Sequence, residues 1–176
     1  MNVKPRLAGA AVVLGVLAVT ATALASTPAA SQVKTKKTSS LGVILVDGKG
    51  KTLYLFEKDK SGKSSCYGAC ATNWPPYLTT KKPTAGTGAK KALLGTTKRK
   101  DGKLQVTYNH HPLYWFKYDA KAGQTKGENV NAFGADWYVV SAKGTKVEPK
   151  AGTGGGGGPT GPTGGGGYGG GGGYVP

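Results

Sequence analysis

The chain is 176 residues long, room for one domain of ordinary size plus tails. Its formal net charge of +16 is carried almost wholly by lysine, since Arg6 and Arg99 are the only arginines and there are eight acidic residues. Lysine is a hydrated point charge without arginine's planar fork. The composition therefore argues against specific nucleic-acid recognition and favours diffuse attraction to polyanions, such as anionic cell-wall polymers or lipid head groups.

Residues 1–25 read as a signal peptide. Lys4 and Arg6 supply a positive start, Leu7 to Leu24 is nearly unbroken apolar and small residues, and Ala23-Leu24-Ala25 offers a cleavage site before Ser26. The competing reading is a retained membrane anchor, because the run approaches spanning length. Alanine, glycine and threonine dilute it, so cleavage and no retained transmembrane segment are expected. Loss of Lys4 and Arg6 lowers the charge from +16 to +14. Residues 26–40 hold Pro28, serines, threonines and Lys34, Lys36 and Lys37, and are expected to be a flexible spacer.

The expected folded domain is 41–149, an all-β unit. Val43–Val46, the turn Asp47-Gly48-Lys49-Gly50 and Thr52–Phe56 read as strand, turn, strand. Leu94–Arg99 and Leu104–Tyr108 flank Lys100–Lys103. Asn109-His110-His111-Pro112 then turns the chain into Leu113–Phe116. Trp137–Val140, Lys143-Gly144 and Thr145–Val147 close the series. No stretch keeps a helical apolar period for three turns, and short, closely spaced strands predict a sandwich or barrel-like domain. From 150 to Pro176 the chain is mostly glycine, with Tyr168 and Tyr174 interspersed. It is expected to be a disordered tail, because glycine loses the most entropy on ordering.

The domain is duplicated. Leu53–Asp59 matches Leu113–Asp119 sixty residues on, Val46 aligns with Val106, Gly62 with Gly123, and each copy then reaches a tryptophan, Trp74 or Trp137. Tyr54 and Phe56 fall on one face of a strand, as do Tyr114 and Phe116, which suits them to a core. An aromatic platform for a ligand is the functional alternative. Asp59 and Asp119 lie just past the strands, where a carboxylate can take backbone N–H groups and fix a turn.

Tyr54/Phe56/Asp59 and Tyr114/Phe116/Asp119 resemble the signature of the secreted-repeat family of predicted bacterial lipoproteins with a Yx(F/W/Y)xxD motif. Cys66-Tyr67-Gly68-Ala69-Cys70, Trp74-Pro75-Pro76 and Asn131-Ala132-Phe133-Gly134 fit the same pattern. The resemblance spans Leu41 to Ser141. It implies an envelope or extracellular location and no established activity. The lipid-carrying cysteine of that family's lipoproteins is missing, so a soluble or wall-associated protein is expected.

Cys66 and Cys70 are the only cysteines. Nearby cysteines in a secreted chain point to a disulfide. With His110 or His111 they would also suit copper, and a redox-active dithiol is a third reading, although the spacing is not Cys-x-x-Cys. No Gly-x-Ser-x-Gly, His-Glu-x-x-His or phosphate-binding loop appears. The expectation is a secreted binding or structural protein that is not an enzyme and needs no cofactor. An extracytoplasmic copper or electron-transfer accessory is the alternative.

Overall fold

A computed structural model describes Met1 and residues 30–148. The expected signal peptide and the glycine-rich tail with Tyr168 and Tyr174 lie outside the described residues. The domain is all-β, built from short strands in three small sheets. β1 (Gln32–Lys37) pairs antiparallel with β2 (Val43–Asp47), from Val33 opposite Asp47 to Lys37 opposite Val43. β3 (Tyr54–Phe56) follows, then a five-residue helix α1 (Ala69–Asn73), β4 (Leu78–Thr79) and β5 (Thr84–Ala85). After a 3₁₀ turn at Lys91–Leu93 come β6 (Leu94–Lys98), β7 (Leu104–Tyr108), β8 (His111–Pro112), β9 (Val130–Ala132) and β10 (Ala135–Val139). The sheets run β2-β1-β5, β3-β10-β9 and β4-β7-β6, with β8 also on β7.

Three expectations need correction. The stretch read as spacer contains β1. Val33 is fully buried, and the strand is paired on both sides, by β2 and by a parallel contact to β5. Its lysines kept it from reading as a strand, yet a strand lysine can lay its stem along the sheet and leave its ammonium in water. Lys34 does so while its Nζ donates to the Gly48 carbonyl at 2.9 Å. Second, Leu113–Phe116 is not a continuous strand: Tyr114 makes single bridges to Tyr54 and to Pro76 instead. Third, Val46 is not the counterpart of Val106. The Leu53 N–H donates to the Leu45 carbonyl, and the Leu113 N–H to that of Val106, so Leu45 and Val106 correspond. The first turn is one residue longer than the second.

The first repeat therefore starts at β1, and β1–β2 corresponds to β6–β7. The β7–β8 turn is made by Asn109 and His110, both at positive φ (48° and 66°), and the β9–β10 turn by Phe133 and Gly134 (59° and 86°). Positive φ at both central residues matches the twist of the flanking strands, the usual arrangement of a two-residue hairpin. Between the aspartate and the tryptophan the copies diverge. The first folds as α1 beside a Cys66–Cys70 disulfide; the second forms the β9–β10 hairpin.

The two copies meet at Tyr54 and Tyr114. The Tyr54 N–H donates to the Tyr114 carbonyl at 2.9 Å and the Tyr114 N–H to the Tyr54 carbonyl at 3.0 Å. A residue paired reciprocally with its own counterpart marks a twofold axis. On either side the rows repeat, with Val139 beside Tyr54 and Pro76 beside Tyr114. Side-chain alternation sends Leu53, Leu55 and Leu113 into one apolar cluster with Val33, Leu45 and Val106, and Tyr54, Phe56 and Tyr114 into another with Trp74 and Trp137. The central rows are thus buried on both faces.

The placement of β1 makes a direct prediction. Val33→Ala should cost about 2 kcal/mol in chemical denaturation, because two methyl groups leave a closed core. The same change in a free spacer would leave the unfolding midpoint where it was.

Candidate functional site

The candidate site is the centre of the duplication. Trp74 stacks on its counterpart Trp137 with ring centroids 3.9 Å apart and planes within 5°. Phe56 stacks on the outer face of Trp137 at 4.0 Å, and Phe116 on that of Trp74 at 4.2 Å. The result is one column, Phe56–Trp137–Trp74–Phe116. Tyr54 meets Trp74 edge-on at 5.4 Å, and Tyr114 meets Trp137 edge-on at 5.1 Å. Column and flanking tyrosines obey the same pseudo-twofold as the backbone pair. Gly127 lets the chain pass close by: a Cβ there would sit 2.7 Å from Trp74 and 2.9 Å from Tyr54.

The aspartates do more than fix turns. Each uses one oxygen as expected: Asp59 Oδ1 accepts the Ser65 N–H at 2.7 Å, and Asp119 Oδ1 accepts the Lys126 N–H at 3.0 Å. The other oxygen reaches across the axis. The Tyr54 hydroxyl donates to Asp119 Oδ2 at 2.5 Å, and the Tyr114 hydroxyl donates to Asp59 Oδ2 at 2.7 Å. The motif is therefore completed in trans, with the tyrosine of one repeat bound to the aspartate of the other. Burial, reinforced by the facing carboxylate, pushes both phenols far above their usual range and keeps them as donors. Burial also raises both carboxyls, against the opposing tyrosine bonds.

Several participants had no sequence signal beyond their type. Arg99 is buried: it donates to Ser64 Oγ at 2.7 Å, to Gln105 Oε1 at 2.6 Å and to the Cys66 carbonyl at 2.8 Å, and lies over the Tyr67 ring. Ser64 Oγ is 2.8 Å from the Tyr114 hydroxyl, so this network braces one half of the centre. That the domain's single arginine sits at a β6 end was the available hint. In the other half, Glu128 Oε2 accepts the Val139 N–H at 2.7 Å, while its Oε1 is buried without a hydrogen-bond partner.

Cys66 and Cys70 form a disulfide and are buried in the aromatic cluster. Closing so short a loop contributes about 2 kcal/mol on the chain-entropy account. Copper takes thiolate, so a centre at Cys66 and Cys70 with His110 or His111 would first require reduction of this bond. His110 is exposed at the tip of the β7–β8 turn. His111 is half-buried at an open hollow of about 640 Å³, where Glu57, Asp59, Lys60 and Lys146 also converge. Burial lowers its pKa. Lys146 in that hollow is paired with both Glu57 and Glu148 at 2.9 Å. Among the described residues, no group of three or more His, Cys, Asp or Glu side chains is arranged to hold a metal ion.

Two predictions follow from these contacts. In a double-mutant cycle, Tyr54→Phe and Asp119→Asn should show a coupling of about 0.5–3 kcal/mol, larger than that of Tyr54→Phe with Asp59→Asn from its own repeat. Equal couplings would contradict pairing in trans. Burial also pushes the Glu128 carboxyl from 4.5 up to about 7. The fold then holds a proton that the unfolded chain has released. The stability this gives is complete below pH 4.5 and lost as pH rises through about 7. Glu128→Gln should flatten the pH dependence of the melting temperature across that window; an unchanged slope would mean the carboxyl is already ionised in the fold.

Comparison with known proteins gives one match. The sequence profile described as "Secreted repeat of unknown function" matches twice, over residues 35–77 and 95–141, together just over half of the chain. No curated protein and no solved structure gave a significant match. Both matched segments begin within the first strand of a repeat, β1 or β6, and the second ends just past β10. Among the described residues, no helix is long and apolar enough to cross a membrane. With two matched copies, the trans-paired tyrosines and aspartates and the all-β fold, the chain belongs to the family of secreted repeats of unknown function.

Proposed function

We propose that the protein is a non-catalytic component of the cell envelope that acts by binding or by structure, held to anionic wall polymer or lipid head groups by its lysines. The observation that supports this reading is the partition of polar chemistry between inside and outside. The phenols, carboxylates and cysteines of the motif segments are turned inward and bonded to one another. Every described lysine keeps solvent exposure. What such a surface offers a partner is positive charge spread over many flexible points, which suits a repeating polyanion better than a shaped ligand. No cofactor is required for this role, and the hollow beside His111 is open, with Lys146 already paired to Glu57 and Glu148.

Retention of the secreted protein on a phosphate-rich matrix tests the reading. Binding should be firm at low ionic strength and fall steeply with added salt, as the screening length shrinks from about 10 Å at 0.1 M to about 3 Å at 1 M. Retention indifferent to salt would overturn the polyanion role.

A further inference from the structure

The aromatic column stacks four rings in close succession. Aromatic pairs in proteins are mostly offset-stacked or edge-on, with centroids about 4.5–7 Å apart. Here three successive contacts are stacked at 3.9–4.2 Å, two of them parallel to within 8°. The same arrangement suits a positive charge. An indole that has lost an electron, lying between two ring faces, is held by them as any cation is held over an aromatic ring, and the paired indole shares the charge. Each indole is also met edge-on by a tyrosine whose hydroxyl is already bonded to a carboxylate, Asp119 in the interior and Asp59 at the edge of the hollow. The column reaches the surface at one end: Phe116 is half-buried and contacts Tyr118, which is 37% exposed, at 5.3 Å.

We propose that Trp74 and Trp137 with Tyr54 and Tyr114 form a one-electron trap that takes up oxidising equivalents from a one-electron oxidant at the protein surface. The oxidant gains one electron and the stacked indole pair loses it, becoming a shared radical cation. Tyr54 or Tyr114 then returns an electron to the indoles and passes its hydroxyl proton to Asp119 or Asp59. The net products are the reduced oxidant, a neutral tyrosyl radical and a protonated carboxyl. A one-electron reductant such as a small thiol resets the site as the proton returns to the tyrosine oxygen. The hydrogen bond across the axis is what makes the second step accessible, because a phenol cannot keep its proton once oxidised and here the acceptor is in place. Phe56 and Phe116 are not oxidised; they flank the charge. This activity is independent of the lysine surface.

Flash photolysis of the full-length protein tests it, with a diffusing ruthenium polypyridyl photosensitiser and an irreversible electron acceptor. The readouts are transient absorption and electron paramagnetic resonance of freeze-quenched samples. The indole-cation signal should give way to a tyrosyl signal, and the conversion should slow in deuterium oxide. In the Tyr54→Phe/Tyr114→Phe double variant the tyrosyl signal should be lost while the indole signal persists. Trp115→Phe, which removes the tryptophan packed on Tyr77 outside the column, should change neither signal. A tyrosyl signal that survives in the double variant would place the radical on other tyrosines and overturn the proposal. So would an indole signal erased by Trp115→Phe. If the double variant fails to fold by circular dichroism, the wild-type conversion, its isotope dependence and the Trp115→Phe result decide between the same two outcomes.

Discussion

The reciprocal backbone pair between Tyr54 and Tyr114 constrains everything around it. Once two equivalent residues bond to each other in antiparallel fashion, every other equivalent pair must be related by the same axis. Trp74 must face Trp137, and the aspartate that follows each tyrosine is carried to the far side, beside the other copy's phenol. The tyrosine–aspartate bonds then close the arrangement. Both are charge-assisted hydrogen bonds, the Tyr54–Asp119 one buried and the Tyr114–Asp59 one partly so, stronger than a neutral one and costly to leave half-made. Neither repeat can satisfy its own motif alone, and this makes the duplication a structural requirement of the fold.

The rest of the domain supports that centre unequally. On one side Arg99 ties Ser64, Gln105 and the Cys66 carbonyl into a braced network, and the disulfide fixes the segment that leads into Trp74. On the other, the β9–β10 hairpin leads into Trp137, and Glu128 takes a backbone N–H of β10 with one oxygen left bare. The symmetric core is thus held by asymmetric surroundings. A titratable carboxyl on one side and a covalent bond on the other respond to different changes in the medium, pH in one case and reducing conditions in the other.

The aromatic column illustrates how a core choice can carry a property beyond packing. Burying each of these rings contributes about 1.5–3 kcal/mol. The twofold axis passes between two equivalent indoles that stack at 3.9 Å, and a stacked pair can share a positive charge. The lysine surface is a separate matter, since it concerns what approaches the domain from outside.

Much of this was legible in the sequence. Period-two alternation announced an all-β domain, because side chains on a strand alternate between faces whatever its neighbours are. The repeated Tyr-x-Phe-x-x-Asp announced the duplication, and the short spacing of Cys66 and Cys70 in a secreted chain favoured their bond. β1 was hidden because lysine and threonine carry no apolar signal; only pairing with β2 and β5 makes that stretch a strand. The one-residue slip between Val46 and Val106 was hidden because a turn can absorb a residue without disturbing the motif beyond it. Above all, a motif read along the chain suggests partners within five residues, and the true partners lie 65 and 55 residues away. The sequence by itself determined which residues are aromatic, acidic and buried in alternation. Only the tertiary structure decided that each tyrosine bonds the other repeat's aspartate and each tryptophan stacks on its twin, because those contacts depend on where the twofold axis falls, and no local propensity specifies an axis.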